Sequence, residues 1–310
     1  MKHNRYRGAL LGLATGDALG VPLEGKLPGS FAPITGLIGG GTFALKPGYW
    51  TDDTSMALCL AESLIHSQEF NPADQMDHYL RWYKEGYVSS TGSCFSIGRT
   101  VCAALESYSR TGQPYAGSED LRTAGNGSLM RLAPVPLRYA ANPALAIDLA
   151  ADSSRTTHAA PEAVDACRYL AALLIGALQN QDKATLLTRH YSPLPEGWTR
   201  QLSPNIAAIA AGSYKSKNPP DIRGTGYVVD CLEAALWAFY HSDNFAEGAL
   251  LAVNLGDDAD TTAAVYGQLA GTYYGVNSIP ASWLAKVYRR EYIEELADSL
   301  CKLSAQYIHE

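Results

Sequence analysis

The sequence predicts an all-α protein. Apolar residues recur every three or four positions through most of the 310 residues, which places them on one face of successive helices. Alternating runs rich in β-branched residues are missing, and "GNG" at Gly125–Gly127, the nearest approach to a tight hairpin, has no alternating strand on either side. These observations favour ten or more helices around one core.

The first predicted helix, "RGALLGLATGDALG", has Gly8, Gly12 and Gly16 at i, i+4 spacing on one face. Since glycine has no Cβ, this face would let the backbone of another helix approach closely.

The later helices are predicted from apolar residues at helical spacing, most of which follow a helix-start signal. They are Met56, Leu60 and Leu64 after "TDDT"; Met76, Leu80 and Tyr83 after Asn71-Pro72; Val164, Cys167, Ala171, Leu174 and Leu178 after Pro161; Val229, Leu232, Leu236 and Phe239 after Gly226; Ala264, Val265, Leu269 and Tyr273 after "GDDADTT"; and Leu284, Val287, Tyr288, Leu296, Leu300 and Leu303 at the C-terminal end.

Two segments do not follow the helical period. Residues 27–48 are too rich in Gly and Pro for a helix, and such a segment is either a lid or binding loop or a plain surface connection. Residues 115–136, "YAGSEDLRTAGNGSLMRLAPVP", are irregular and end in a helical start.

Composition favours one sizeable enzyme-like domain spanning residues 1–310. Apolar residues make up 47% and charged residues 18%, without a polar linker, a low-complexity tract or a visible repeat. The net charge of −7 argues against nucleic acid and anionic membranes as partners, because both require clustered Lys and Arg. Any anionic ligand must therefore be held locally.

The cysteines and the N-terminal segment predict a cytoplasmic protein. Six cysteines stand far apart without a CxxC pair, as buried free thiols do in a reducing compartment. The basic and apolar start is similar to an export signal, but Asp17 and several glycines interrupt it. No stretch approaches the roughly 20 apolar residues that cross a bilayer.

Two acidic stations precede predicted helices. The first is Thr51, Asp52 and Asp53 in "WTDDT", and the second is "GDDADTT" from Gly256 to Thr262. Helix capping is the simpler explanation of either station alone, but a cap needs only one or two of these groups. The excess of acid requires a second explanation.

A bound cation is that second explanation. Carboxylates crowded at an interior site repel each other unless a cation compensates them. No Lys or Arg lies between Pro47 and Arg81 or from Gly224 through Ala285, although a distant basic residue could still fold in. Carboxylate and hydroxyl oxygens without Cys or His suit Mg²⁺ or Mn²⁺. The two stations offer enough oxygen for two ions, and such pairs polarise substrates and orient water.

Five segments in order resemble the ADP-ribosylglycohydrolase family, and its bacterial dinitrogenase reductase-activating branch most of all. They are "GALLGLATGDALGVPLEG", "WTDDTSMAL", "GNGSLMRLAPVPL", "TGYVVDCLEAALWAF" and "NLGDDADTTAAVYGQLAGTYYG", spread from residue 8 to 275. The resemblance implies a compact orthogonal helical bundle with a dinuclear metal cleft. It also implies an enzyme that binds ADP-ribose and cleaves its glycosidic link to a protein side chain, with arginine the favoured acceptor in this branch.

The resemblance carries over to individual positions. The implied metal ligands are Thr51, Asp52, Asp53, Asp258, Asp260 and Thr261. The implied catalytic carboxylates are Glu24, Asp53 and Asp258, and the implied substrate-binding residues are Asn126, Gly127, Ser128, Met130, His158 and Tyr227. Asp257 stands where the family usually has glycine and is left out. Gly127 and Ser128 would offer N–H groups and a hydroxyl to a phosphate at a helix start.

Ser96 departs from the family pattern, because relatives often carry Asp at this position. A serine cannot act unaided as a general base at neutral pH. Glu24 or Asp53 would then handle the proton, or the chain would be a metal-supported ADP-ribose-binding module with weak activity. Hydrolysis of serine-linked or other O-linked ADP-ribose is a further alternative. Prenyl-diphosphate enzymes are disfavoured, since "DDTSM" lacks the last Asp of DDxxD, and nucleotide pyrophosphohydrolases are disfavoured, since they normally show Glu-rich helical pairs.

Overall fold

A computed structural model describes residues 2–194 and 198–306, and it confirms the all-α prediction. These residues form fourteen α-helices and no β-strand, with short 3-10 turns between some of the helices. The helices are α1 (Lys2–Gly20), α2 (Asp52–Ser67), α3 (Pro72–Glu85), α4 (Arg99–Thr111), α5 (Pro134–Arg138), α6 (Pro143–Arg155), α7 (Pro161–Leu178), α8 (Lys183–Leu186), α9 (Pro204–Ala210), α10 (Val228–Tyr240), α11 (Phe245–Val253), α12 (Ala259–Tyr274), α13 (Ala281–Leu284) and α14 (Arg290–Gln306).

Helix α12 lies at the centre of the core. Every residue from Ala259 to Thr272 is buried, and the helix packs against α1, α7, α10 and α11. Tyr273, which the helical pattern places on the buried stripe, is only partly buried. The single-domain organisation of residues 1–310 stays a prediction.

The glycine face of α1 contacts α12 backbone to backbone, as the i, i+4 spacing predicts. A Cβ at Gly8 would lie 2.0 Å from the Gly271 carbonyl oxygen, and a Cβ at Gly16 would lie 2.1 Å from that of Ala263. At the end of α1, a Cβ at Gly20 would lie 2.3 Å from the Asp260 backbone. Only glycine permits this approach, which brings the C-terminal end of α1 to the first turn of α12.

The C-terminal segment differs from the continuous helical pattern. Residues 285–289 form turns between α13 and α14, and Arg289 has a positive φ of 54°. A backbone in that region cannot continue a right-handed helix, so the apolar period persists across two separate helices.

Residues 27–48 form an irregular loop, as predicted, and this loop is tied to the second acidic station. The Asn254 side chain holds the Ile34 N–H and carbonyl, at 2.9 and 3.1 Å. Just before the loop, the Gly25 N–H donates to the Asp257 carbonyl at 2.7 Å. At its far end Phe43 makes an edge-to-face ring contact with Phe95, beside Ser96.

No helix among the described residues has the length and apolarity that a membrane crossing requires. All six cysteines are free thiols.

We expect Gly16→Ala to destabilise the fold by more than about 3 kcal/mol, because the added methyl group meets backbone atoms that cannot rotate away. Urea unfolding measures the change. Gly98→Ala is the matched control, since its Cβ meets nothing within 4 Å, and its helix-cap position costs at most about 1 kcal/mol. Equal stability of the two variants would contradict the role of the α1–α12 contact.

Candidate active site

Asp17, near the end of α1, caps the start of α2. Its carboxylate accepts hydrogen bonds from the Thr51 N–H at 2.9 Å and the Thr54 N–H at 3.0 Å. It also accepts from the Thr51 and Thr54 hydroxyls, at 3.0 and 2.6 Å. Thr51 itself makes no side-chain cap. The capping need of the helix is therefore met from α1, and Asp52 and Asp53 are not required for it.

The second station forms the first turn of α12. Asp258 is the residue before the helix, and it makes no side-chain cap. Its N–H donates to the Gly224 carbonyl at 2.7 Å, and its Oδ2 accepts from the Asn126 amide at 2.7 Å. The preceding Asp257 has a positive φ of 52°, the conformation that glycine adopts most easily.

The two stations meet at one place. Carboxylate oxygens of Asp17, Asp53 and Asp260 lie within 4.8 Å of one another, and all three side chains are buried. The Thr261 hydroxyl lies 3.4 Å from Asp53 Oδ2 and joins the two helix starts directly. Residues about 200 positions apart in the chain therefore share a single interior site.

The donor set at this place fits a hard divalent cation. Asp53 Oδ1 and Asp260 Oδ1 are buried and have no hydrogen-bond partner, whereas both oxygens of Asp17 accept protein donors. In the part of the chain that the structure describes, no Lys, Arg or His forms an ion pair with these carboxylates. Two unpartnered carboxylate oxygens without a counter-charge can hold a metal ion of the Mg²⁺ or Mn²⁺ type.

Burial raises the pKa of the carboxyl groups of this site. Burial, and next the neighbouring charge of Asp17, raises the pKa of Asp52 and of Asp53 well above the usual range. Burial and the Asp258 carboxylate do the same to the pKa of Asp260. Burial also raises the pKa of Asp17 to about 6, while its hydrogen bonds oppose the shift. Without a cation, the folded site holds protons that the same groups lose in solution.

A cleft of about 390 Å³ opens above the acidic site. The predicted site residues among its walls are Glu24, Asp52, Asn126, Gly127, Met130, His158, Asp258, Asp260 and Thr261. Ser96 also lines the cleft, and its hydroxyl lies 3.4 Å from Glu24 Oε1. Glu24 Oε2 has no partner. Burial, the Asp258 charge and the Asp17 charge raise the pKa of Glu24 to about 7.

The opposite wall of the cleft presents hydrogen-bond donors. Gly127 lines this wall and Ser128 lies directly behind it, and neither makes a hydrogen bond through its N–H group to any described residue. Helix α4 begins at the cleft, since Gly98, Arg99 and Thr100 line it, and no side chain caps its first N–H groups. Uncapped N–H groups at a helix start favour an anion.

Three site predictions need adjustment. The Ser128 hydroxyl faces the core, 2.8 Å from the Ser154 hydroxyl, so only its N–H remains for a ligand. Tyr227 is not among the residues that line the cleft; its hydroxyl donates to Glu162 at 2.6 Å beside the cleft residue Gly226. Asp53 lies below the cleft floor with 1% exposure, whereas Glu24 reaches the cleft itself.

Sequence reasoning missed two parts of the site. In the sequence, Asp17 serves only as an argument against an export signal, although its position beside Gly16 on the glycine face could have placed it next to the second station. The α4 N-terminus carries no local signal, because Gly98-Arg99 has neither a capping side chain nor an acidic first turn.

The fold and the site together define an all-α protein with a buried carboxylate centre beneath a cleft of mixed charge. A family model described as ADP-ribosylglycohydrolase matches residues 1–308. The chain belongs to the ADP-ribosylglycohydrolase family, as the five sequence segments indicate.

Similar proteins include three bacterial hydrolases whose names state their substrates. The chain is 45% identical to the ADP-ribosylarginine hydrolase Tri1 of Pseudomonas putida, in an alignment that covers 96% of this chain and 78% of the relative. It is 41% identical to the ADP-ribosylarginine hydrolase Tri1 of Serratia proteamaculans, with 96% of this chain and 79% of the relative covered. It is 32% identical over 92% of its length to 90% of the ADP-ribosyl-[dinitrogen reductase] glycohydrolase of Rhodospirillum rubrum. A solved ADP-ribosylglycohydrolase-related protein complex matches 98% of this chain and 99% of its own, at 47% identity and a TM-score of 0.86.

We expect Mg²⁺ or Mn²⁺ to raise the melting temperature of the metal-free protein, by more at pH 8 than at pH 5.5. The folded carboxyl groups keep protons to higher pH than the unfolded ones, so the unfolding free energy of the metal-free protein falls as pH rises from about 4 towards the Glu24 pKa of about 7. An ion that binds the ionised cluster reverses this loss, by about 2.7 kcal/mol at about 100 times its Kd.

Differential scanning fluorimetry after chelator treatment measures this effect. Asp53→Asn should abolish the shift, and the exposed Glu119→Gln should keep it. A shift of equal size in Asp53→Asn would place the bound ion elsewhere.

Proposed function

We propose that this protein is a metal-dependent hydrolase that releases ADP-ribose from ADP-ribosylated arginine side chains of proteins. The family membership supports a glycohydrolase, and two relatives at 41 and 45% identity are named for arginine-linked substrate. Serine-linked or other O-linked ADP-ribose is the alternative substrate that the same cleft could accept.

The polarity of the cleft is the observation that carries this proposal. One wall carries carboxylates of Glu24, Asp52 and Asp258, and the other presents N–H groups around Gly127 and the start of α4. An ADP-ribosylated arginine has a matching polarity, with an anionic diphosphate on one side of the distal ribose and a cationic guanidinium on the other. Each end of the substrate meets groups of opposite charge in only one orientation.

The site residues divide into those that would hold metal ions and those that take part in the reaction. We assign Thr51, Asp52, Asp53, Asp258, Asp260 and Thr261 to two divalent cations, Mg²⁺ or Mn²⁺. When bound, such ions supply Lewis-acid stabilisation of ribose oxygens and orient water. Asn126 holds the Asp258 carboxylate in place through its 2.7 Å hydrogen bond. Asp53 has no cleft surface of note, so we assign it to metal holding alone.

Glu24 is the group that we assign to proton transfer. Its side chain lines the cleft, one oxygen is without a partner, and its pKa of about 7 is suited to exchange near neutral pH. In the proposed step, water adds to the anomeric carbon of the ribose and gives a proton to Glu24. The bond to the guanidine nitrogen breaks, and that nitrogen takes the proton from Glu24. Cleft carboxylates stabilise the oxocarbenium-like charge more in the transition state than in the ground state.

Ser96 favours the second candidate, an ADP-ribose-binding module with weak activity. It stands where relatives often carry Asp, and its hydroxyl contacts Glu24 Oε1 only at 3.4 Å. In the hydrolase, this hydroxyl orients Glu24 and takes no proton itself.

The direct assay incubates protein carrying arginine-linked ADP-ribose with the enzyme and quantifies released ADP-ribose. We expect release with Mg²⁺ or Mn²⁺, none after chelation, and recovery when the ion is restored. Asp258→Ala should abolish release while its circular dichroism stays native. Serine-linked and DNA-linked ADP-ribose are the comparison substrates. Binding of ADP-ribose without any release would leave the binding module as the function.

A pair of variants separates the roles of Glu24 and Ser96. We expect Glu24→Gln to lower kcat by roughly 10²- to 10⁴-fold, because the amide cannot carry the proton. Ser96→Ala should lower kcat by less than about tenfold, since it removes a single long hydrogen bond. Steady-state kinetics on arginine-linked substrate gives both values. A larger loss in Ser96→Ala than in Glu24→Gln would transfer the proton role away from Glu24.

A further inference from the structure

Arg131 is a cation in the core without a carboxylate partner. Its side chain is fully buried, and no described Asp or Glu forms an ion pair with it. It lies directly behind the cleft loop of Gly127 and stacks on the Tyr79 ring, 4.6 Å from its centroid. A buried charge without a counter-ion is costly, so a functional reason for it is expected.

The first contact of Arg131 leads through Thr157 to the cleft. Arg131 Nη2 donates to Thr157 Oγ1 at 2.7 Å, and Thr157 Oγ1 lies 2.9 Å from His158 Nδ1. A guanidinium can only donate, so the Thr157 oxygen is the acceptor in the first bond. The Thr157 hydroxyl therefore donates its one hydrogen to His158 Nδ1, which is the acceptor within reach among the described residues.

This arrangement selects one tautomer of His158. Burial, and next the charge of Arg131, lowers the pKa of His158 to about 3, so the ring is neutral. A neutral imidazole that accepts at Nδ1 carries its proton on Nε2. The other tautomer would leave the Thr157 hydroxyl hydrogen without an acceptor and would point a lone pair at the ligand.

The Nε2 side of the ring faces the cleft. His158 lines the cleft together with Gly125 and Gly127, and a Cβ on these glycines would lie 3.4 and 3.2 Å from Nε2. Nε2 forms no hydrogen bond with any residue that the structure describes. The N–H of this nitrogen is therefore available to a ligand.

The second contact of Arg131 turns a peptide group in the same loop. Arg131 Nη1 donates to the Gly127 carbonyl at 3.1 Å and holds it towards the core. The Gly127-Ser128 peptide is trans, so its N–H, on Ser128, points in the opposite direction, away from Arg131. Ser128 does not itself line the cleft, but its N–H directly follows the cleft residue Gly127 and has no acceptor among the described residues.

We propose that Arg131 is a positioning residue for anion binding, which makes both the His158 Nε2–H and the Ser128 N–H donate to one anionic group in the cleft. The identity of that group as the diphosphate of ADP-ribose rests on the proposed function. Arg131 does not line the cleft; it acts through the two groups that do the donating and adds a positive potential behind them.

The first test reads the tautomer directly in the ligand-free protein. Long-range ¹H–¹⁵N NMR distinguishes protonated from unprotonated ring nitrogens, and comparison with His158→Gln assigns the signal among the seven histidines. We expect Nε2–H in the wild type and in Thr157→Ser, which keeps the hydroxyl. Thr157→Val, which has the same shape without the hydroxyl, should show both tautomers. A wild-type ring protonated at Nδ1 would overturn the proposal.

The second test measures ADP-ribose affinity by calorimetry with Mg²⁺ present. Thr157→Val should weaken binding about tenfold and Thr157→Ser by less than about twofold, since one hydrogen bond to the anion is impaired. Unchanged affinity together with an unchanged tautomer in Thr157→Val would refute the relay. If Thr157→Val does not fold, the wild-type tautomer still decides. If the tautomer and the affinity changes are as expected but no ADP-ribose is released, the proposed hydrolysis is refuted and this inference stands.

Discussion

The backbone contact between α1 and α12 is the constraint on which the rest of the structure depends. Four glycines on α1 let the two helices lie closer than any pair with Cβ atoms at these positions could. The contact ends at Gly20 and Asp260, so it brings the acidic start of α12 beside Asp17 near the end of α1. Asp17 in turn captures the start of α2. One packing seam therefore determines where three helix termini meet.

At the point where these helix termini meet, Asp17 caps α2, and this explains the excess acid in "WTDDT". In most helices a local Ser, Thr, Asp or Asn satisfies the first N–H groups. In α2 this task falls to Asp17, a residue 34 positions earlier, whose oxygens are occupied by protein donors. Asp53 keeps an oxygen that is buried and without a partner. A buried carboxylate that is freed from capping and forms no ion pair with a described basic residue can serve as a ligand for a cation.

The two sides of the cleft carry uncompensated charge of opposite sign. On one side carboxylates are crowded without a counter-charge; on the other, a buried guanidinium stands behind unpaired N–H groups. Each arrangement is unfavourable by itself, and a ligand charge of the opposite sign would make it favourable. Under the proposed function, the protein gives up stability for binding at both ends, and the burial of α12 and its neighbours offsets that cost.

The sequence by itself determined the all-α class, the starts of helices such as α2, α3, α7, α10 and α12, the close approach of the glycine face and the two acidic stations, because these depend on local periodicity, capping and composition. It also indicated the family through five ordered segments. Only the tertiary structure decided that Asp17 caps α2, that the Ser128 hydroxyl faces the core, that Glu24 and not Asp53 reaches the cleft, and that Arg131 lies behind Gly127. These are contacts between residues distant in the chain or directions of single side chains, and no local pattern encodes which atoms of two packed helices will face each other.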